Sequence, residues 1–195
     1  DAESDSSHDF GRDILSSAHE RMEVYAYDFS SQLCPGESEH ARGYWRDVGT
    51  IDSYYTANMD LVSVEPALNL YNGKWPIRGV QPLTGPAKFV FSDSAQGRIG
   101  SAVDSIVGSG TILSGGRLKN SVAFHGVRLN SYSEVDQSIL FPQVDIGRGA
   151  RLHRCIVDKG VHIPPNFVAG FDLDADRQHF KVSDSGVVVI SREDL

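Results

Sequence analysis

From Ser105 onward the chain repeats itself every 17 residues, and this period limits its fold more than any other feature. Set in rows, it reads SIVGSGTILSGGRLKNS, VAFHGVRLNSYSEVDQS, ILFPQVDIGRGARLHRC and IVDKGVHIPPNFVAGFD. One column holds Gly110, Val127, Val144 and Val161. A second holds Ile112, Leu129, Ile146 and Ile163, and a third holds Leu118, Val135, Leu152 and Ala169. Self-similarity at a short fixed period marks a stacked repeat. The rows lack helix-length amphipathic runs and are rich in β-branched residues, Gly, Ser and Asn. Each row therefore predicts one coil of a β-solenoid. Inward residues about six apart, as Ile106, Ile112 and Leu118 are, give the hexapeptide spacing of a triangular, left-handed parallel β-helix. Coils stacked ~4.8 Å apart make a prism roughly 19 Å tall, with open strand edges at its ends that need covering or pairing.

The first part of the chain follows a different grammar, mixed α/β to about residue 62. Met22, Val24 and Ala26 alternate with Glu23, Tyr25 and Tyr27 in MEVYAYDF, which predicts a strand. Thr50 is a fair N-cap for a helix from Ile51 to about Leu61. Ile51, Tyr54, Tyr55, Met59 and Val62 share one stripe, and Asp52 lies in the first turn, where the helix dipole favours it. Pro66, Pro76, Pro82 and Pro86 mark a connector with little helix that ends in a short strand, AKFVF. The reading divides the chain at 1–62, 63–95 and 96–195.

A net charge of −8 and the lack of a Lys/Arg stripe argue against nucleic acid as the main partner. No apolar run is long enough to cross a membrane, and no signal peptide is expected. Cys34 and Cys155 show no zinc-ligand or disulfide spacing, so reduced thiols and a cytoplasmic location are expected. The chain opens on Asp1 in a polar run, which suggests a cut inside a longer protein.

The segments SSHDFGRDIL, YWRDVGTIDSYYTANMDL, LNLYNGKWPIRG, GPAKFVF and VRLNSYSEVDQSIL resemble those of bacterial ADP-glucose pyrophosphorylases (glucose-1-phosphate adenylyltransferases). The resemblance runs from about Ser6 to Leu195. It implies the end of a doubly wound nucleotidyltransferase domain followed by the left-handed β-helix. The glycine-rich loop that cradles ATP phosphates would lie upstream. Gly108-Ser109-Gly110 does not open a helix and reads instead as a solenoid turn.

The implied reaction is attack of glucose-1-phosphate on the α-phosphorus of ATP, with release of pyrophosphate, toward glycogen synthesis. Mg²⁺ would neutralise and align the phosphates, held by one or two carboxylates. Asp47 matches the family's metal-binding, catalytic aspartate, although on its chemistry alone it would only cap the next turn. Trp45 matches a residue lining the glucose pocket, and Asp9 and Phe10 in HDFG match further pocket residues. HDFG also contains the kinase magnesium motif, but no catalytic-loop signature accompanies it. Arg46 reads as structural, paired with a nearby carboxylate, and His8 as a capping or core residue.

Lys159 and Arg192 match basic positions used for anionic metabolite effectors; the plainer reading makes them solvated charges. Phe171 stands where an acidic residue is usual, and Gln178-His179 replace a more basic pair. The family also implies a homotetramer built partly through the solenoid. By itself this chain is expected to be inactive, because the phosphate loop and a second metal carboxylate would be missing.

Three other readings remain open. The chain could serve as an assembly and effector-binding module. It could belong to a nucleotidyltransferase for another sugar or nucleotide. It could be a hexapeptide acyltransferase using His125, His153 or His162, although such a protein has no place for the N-terminal motifs.

Overall fold

A computed structural model describes residues 6–80, 82–93 and 95–195; the polar opening at 1–5 lies outside them. From residue 88 the chain winds into a three-faced parallel β-solenoid. The first face stacks Lys88–Val90, Ile112–Ser114, Arg128–Leu129, Asp145–Ile146 and His162–Ile163. The second stacks Ser101–Val103, Arg117–Lys119, Glu134–Asp136, Arg151–His153 and Val168–Ala169. The third stacks Ile106–Val107, Val122–Ala123, Ile139–Leu140, Cys155–Val157 and Val188–Ile190.

The expected ladders are present from the second coil on: Leu118, Val135, Leu152 and Ala169 pair in register and are buried. Val127, Val144 and Val161 form another buried stack. The first row needs correction, because its register is one residue off. Leu113 pairs with Leu129 and Ile106 with Val122, so the first two columns begin with Thr111 and Leu113 rather than Gly110 and Ile112. The cause is a shorter corner after Leu113, closed by Gly115 at φ 76° and by Gly116. A Cβ on Gly116 would meet the Ser133 hydroxyl at 2.5 Å, so only glycine lets this corner cut inside the next. Thr111 is tolerated in an aliphatic column because its hydroxyl donates to the Phe124 carbonyl at 2.9 Å.

A polar stack marks the corner before the third face. The hydroxyls of Ser105, Ser121 and Ser138 donate to the carbonyls of Val103, Lys119 and Asp136. Each also accepts the backbone N–H one coil onward, from Ser121, Ser138 and Cys155. Cys155 completes the stack, its thiol donating to the His153 carbonyl at 3.3 Å. Burial pushes this thiol up to about 12. Cys34 is exposed, and neither cysteine is in a disulfide. A thiol reagent at pH 8 should therefore titrate Cys34 alone in the native chain, and both cysteines after denaturation. Two reactive thiols in the native state would contradict this packing.

The third face is apolar on both sides. Leu140, Val157 and Ile190 point into the core, while Ile139 and Ile156 join a second cluster with Tyr55 and Val187. Ile106, in register with Val122 and through it with Ile139, belongs to this outward column; its expected inward placement is corrected. The outward column is covered by helix α1, Ile51–Asp60, capped as expected by Thr50 in a reciprocal box with Ser53. The predicted stripe does the packing: Tyr55 is buried, with Ile51, Tyr54 and Met59 beside it. Tyr54 meets Phe141 edge-on at 6.0 Å. A strand hairpin, Lys181–Val182 with Val188–Ile190, closes the far edge of this face.

MEVYAYDF forms no strand, which corrects the expectation from its alternation. Residues 23–28 have no ladder assignment, and Met22, Val24, Tyr25 and Tyr27 are exposed. An alternating segment becomes a strand only where a neighbour takes its backbone groups, and no described residue does so here. Among its described residues the connector has no helix or strand until Lys88–Val90, as predicted.

Candidate functional site

The GYWRDVGT loop is fixed from its C-terminal side. Thr50 ends it as the cap of α1, and α1 is seated on the solenoid. Arg46 reaches across to Asp60 at 3.5 Å and lies 5.3 Å from the Tyr44 ring centre, the structural role expected of it. Trp45 is thereby left with 67% of its surface exposed. Asp47 Oδ1 accepts the Gly49 N–H at 3.0 Å, and among the described residues Oδ2 takes no hydrogen bond. Asp47 thus caps the turn with one oxygen and presents the other outward.

Asp9 accepts the Arg12 N–H at 2.7 Å and caps Phe10–Leu15, which winds as a π-helix. Phe10 is 66% exposed. Ser7 and, next, Ser6 donate hydroxyl hydrogen bonds to Asp13, which hold its carboxyl below the usual range. No hydrogen bond, ion pair or ring contact joins Asp9 or Phe10 to Trp45 or Asp47. The HDFG turn and the WRDVGT loop each stand formed, with Phe10 and Trp45 exposed. No cluster of three or more metal-ligating side chains occurs among the described residues. A lone carboxylate with a free oxygen nevertheless suits the protein's share of a Mg²⁺ site whose other ligands are phosphates.

The connector is clasped to this region by a residue that sequence reasoning passed over. Buried Asn72 donates to the Pro35 carbonyl and the Glu37 carboxylate at 2.9 and 2.7 Å, and accepts from the N–H groups of Lys74 and Trp75. Beside it lies an apolar pocket of about 280 Å³ walled by Phe29, Tyr44, Leu68, Trp75 and Ile77. The Asn in LNLYNG was the available signal, since a turn asparagine often bonds its own backbone.

The Arg192 side chain comes against the backbone of Lys159. Arg192 Nε donates to the Lys159 carbonyl at 3.2 Å, and its guanidinium lies over Gly160, where any Cβ would collide with it. Gly160, Val161, His162 and Arg192 line an open cavity of about 380 Å³ here. Two of the three solenoid histidines pair with carboxylates of the preceding coil: His153 sits 3.4 Å from Asp136 and 5.7 Å from the Phe171 ring, and His162 3.9 Å from Asp145. Phe171, at its unusual position, also lies under the Arg151 guanidinium at 4.6 Å.

A second missed residue is Asp52. Its carboxylate accepts from the Ser185 hydroxyl at 2.7 Å and the Ser185 N–H at 3.3 Å, far along the chain. The hydroxyls of Ser183 and then Ser185 hold it below the usual carboxylate range. The contact is therefore present above the ordinary value of about 3.9 and is lost only as pH falls through the lowered one. Its sequence position disclosed only a helix-dipole role.

Residues 85–190 match the family described as GlmU-like, C-terminal hexapeptide, and residues 1–64 match the nucleotidyl transferase family. The chain is 50% identical over 187 residues to a glucose-1-phosphate adenylyltransferase of Anaeromyxobacter sp., covering 96% of the chain and 46% of that protein. It is 49% identical to the enzyme of that name from Koribacter versatilis, covering 96% and 43%. With the one from Shewanella amazonensis it shares 49% identity over 100% of the chain and 45% of the relative. The chain thus spans less than half the length of these curated relatives. No helix among the described residues is long and apolar enough to cross a membrane.

Proposed function

We propose that this chain, which belongs to the GlmU-like hexapeptide family, is the C-terminal portion of a glucose-1-phosphate adenylyltransferase that makes ADP-glucose and pyrophosphate from ATP and glucose-1-phosphate. The observation that carries the reading is the WRDVGT loop, which projects Trp45 and one free oxygen of Asp47 outward from a helix locked onto the solenoid. Trp45, two-thirds exposed, offers a flat apolar face to the glucose ring. Asp9 keeps one oxygen for sugar hydroxyls while the other holds the Arg12 N–H, and Phe10 supplies a second apolar wall. Mg²⁺, when bound, would neutralise the phosphates during transfer. Asp47 would hold it through Oδ2, with its orientation fixed by the Gly49 N–H.

Residues 1–62 then close the nucleotidyltransferase unit and 96–195 form the solenoid unit, joined by a connector, 63–95, whose last strand, Lys88–Val90, already pairs with the first solenoid face. Lys159 and Arg192 form an anionic-effector site, and the solenoid serves assembly into a cytoplasmic homotetramer. Nucleic acid is no partner of so acidic a chain.

The test is a coupled pyrophosphate-release assay on the complete enzyme containing this chain. Release that requires ATP, glucose-1-phosphate and Mg²⁺ together supports the reading. Release with a different sugar phosphate or nucleotide moves the assignment to a related transferase. Acyl transfer without pyrophosphate release overturns it.

A further inference from the structure

The contact between Asp52 and Ser185 joins two places that the sequence keeps 133 residues apart. On one side, Asp52 stands in the first turn of α1, two positions beyond its Thr50 cap and five beyond Asp47. On the other, Ser185 precedes Val188–Ile190, which runs parallel to and in register with Cys155–Val157. Arg154 enters that second strand and completes the junction. Its guanidinium donates to the Ser185 carbonyl at 3.1 Å and lies 5.2 Å from the Tyr55 ring centre. Tyr55 in turn donates to the Gln137 carbonyl at 2.7 Å.

The same two strands lead to the cations. Past Val157 the chain reaches Lys159, and past Ile190 it reaches Arg192, with the Asp158 N–H donating to the Ile190 carbonyl at 2.9 Å between them. A parallel pair of strands therefore holds α1 at its N-terminal ends and Lys159 with Arg192 at its C-terminal ends. The short ladder between, buried through Cys155, Val157, Val188 and Ile190, has little room to deform. The hydrophobic cluster under α1 sets where the helix lies. Asp52 and Arg154, both polar and directional, pin how its N-terminal end is aimed, because a hydrogen bond fixes angle as well as distance.

We propose that Asp52 is a positioning residue: through Ser185 it ties the Trp45–Asp47 loop to the strand pair carrying Lys159 and Arg192, so that an anion bound at those cations changes the fit for the sugar phosphate. The proposal rests on the adenylyltransferase reading above and names the residue through which its anion site acts. Asp52 touches neither substrate nor anion. Its deletion should therefore alter the link between the two sites more than the chemistry.

The experiment uses the complete enzyme, with inorganic phosphate as the anion probe and glucose-1-phosphate as the varied substrate. In the wild type, phosphate should change the KM for glucose-1-phosphate by about fivefold or more, the usual lower range of coupling between sites. In Asp52→Ala that change should fall to less than about twofold, with kcat and the KM for ATP within about twofold of wild type. Asp52→Glu, which keeps a carboxylate within reach of Ser185, should recover part of it. Binding equilibria are reciprocal, so glucose-1-phosphate should shift phosphate affinity in the wild type and fail to do so in Asp52→Ala.

If Asp52→Ala does not fold, the double variant Ser183→Ala with Ser185→Ala, which removes both hydroxyls that hold Asp52, carries the same readouts. A phosphate response that survives unchanged in the alanine variant overturns the inference while leaving the functional reading intact. Turnover without any phosphate response in the wild type overturns it likewise. A complete enzyme that releases no pyrophosphate overturns the reading itself, and this inference with it.

Discussion

Val144→Asp is expected to unfold the solenoid at physiological temperature. Val144 is fully buried in the core cluster, with the aliphatic Val127 and Val161 directly on either side of it in the same column. A carboxylate placed there has no partner, and burying it costs about 4 kcal/mol or more, against a total stability of roughly 5–15 kcal/mol for a domain. Val144→Ala separates charge from volume: loss of two methyl groups costs about 2 kcal/mol and leaves a folded chain. The neighbouring Asp145 is a less innocent control than an outward residue usually is. It accepts from the Asn130 amide at 2.7 Å, so Asp145→Ala costs about 1 kcal/mol rather than nothing. Thermal melts should rank the three in that order. On the proposed assembly, size-exclusion chromatography should also show Val144→Asp as the variant that fails to form the oligomer. Equal small effects from Val144→Asp and Asp145→Ala would mean that Val144 does not face the core.

The solenoid was legible because each coil repeats the same burial problem and solves it with the same residue type. Three aliphatic columns suffice to identify such a repeat. The one-residue slip in the first coil was not legible, because a shortened corner shows only as Ser114-Gly115-Gly116, and glycine pairs occur in longer turns too. Its consequence appears only in three dimensions, where Gly116 must clear Ser133 and Leu129. Helix α1 was equally readable from its cap and stripe. The face it covers was half readable: VA, IL and IV at the row starts are apolar at successive positions, which in a strand means both sides are buried.

MEVYAYDF failed for a reason opposite to that which made α1 succeed. A helix satisfies its own backbone, so its local pattern decides it. A strand depends on a partner, and alternation in Met22, Val24 and Ala26 says nothing about whether one is present. The site divides along the same line. Trp45, Asp47, Asp9 and Phe10 were chosen by motif, and their exposure on two separately formed turns was beyond sequence. Asp52 and Asn72 act across 133 and 35 residues respectively, and contacts of that separation leave no periodic trace.

In the complete enzyme, Asp47→Asn should reduce kcat for pyrophosphate release by about 100-fold or more while the melting temperature stays near wild type. The amide keeps the shape of the side chain, and its oxygen can still accept the Gly49 N–H that Asp47 Oδ1 takes at 3.0 Å, so the turn before Thr50 remains capped. The negative charge on the outward oxygen is lost, and with it the proposed hold on Mg²⁺. Charge stabilisation that matters mainly in the transition state is worth several kcal/mol, and each ~1.4 kcal/mol is a factor of ten in rate. Trp45→Ala gives the contrasting signature. Its ring is two-thirds exposed, so its removal leaves no core cavity, and the loss should fall on the KM for glucose-1-phosphate, by about tenfold, with that for ATP little changed. Raising Mg²⁺ should rescue neither variant: Trp45→Ala does not touch the metal, and with the amide oxygen holding the Gly49 N–H, Asp47→Asn turns outward an NH2 group that cannot ligate it. Near-normal kcat in Asp47→Asn at saturating Mg²⁺ would leave Asp47 as a turn cap and nothing more.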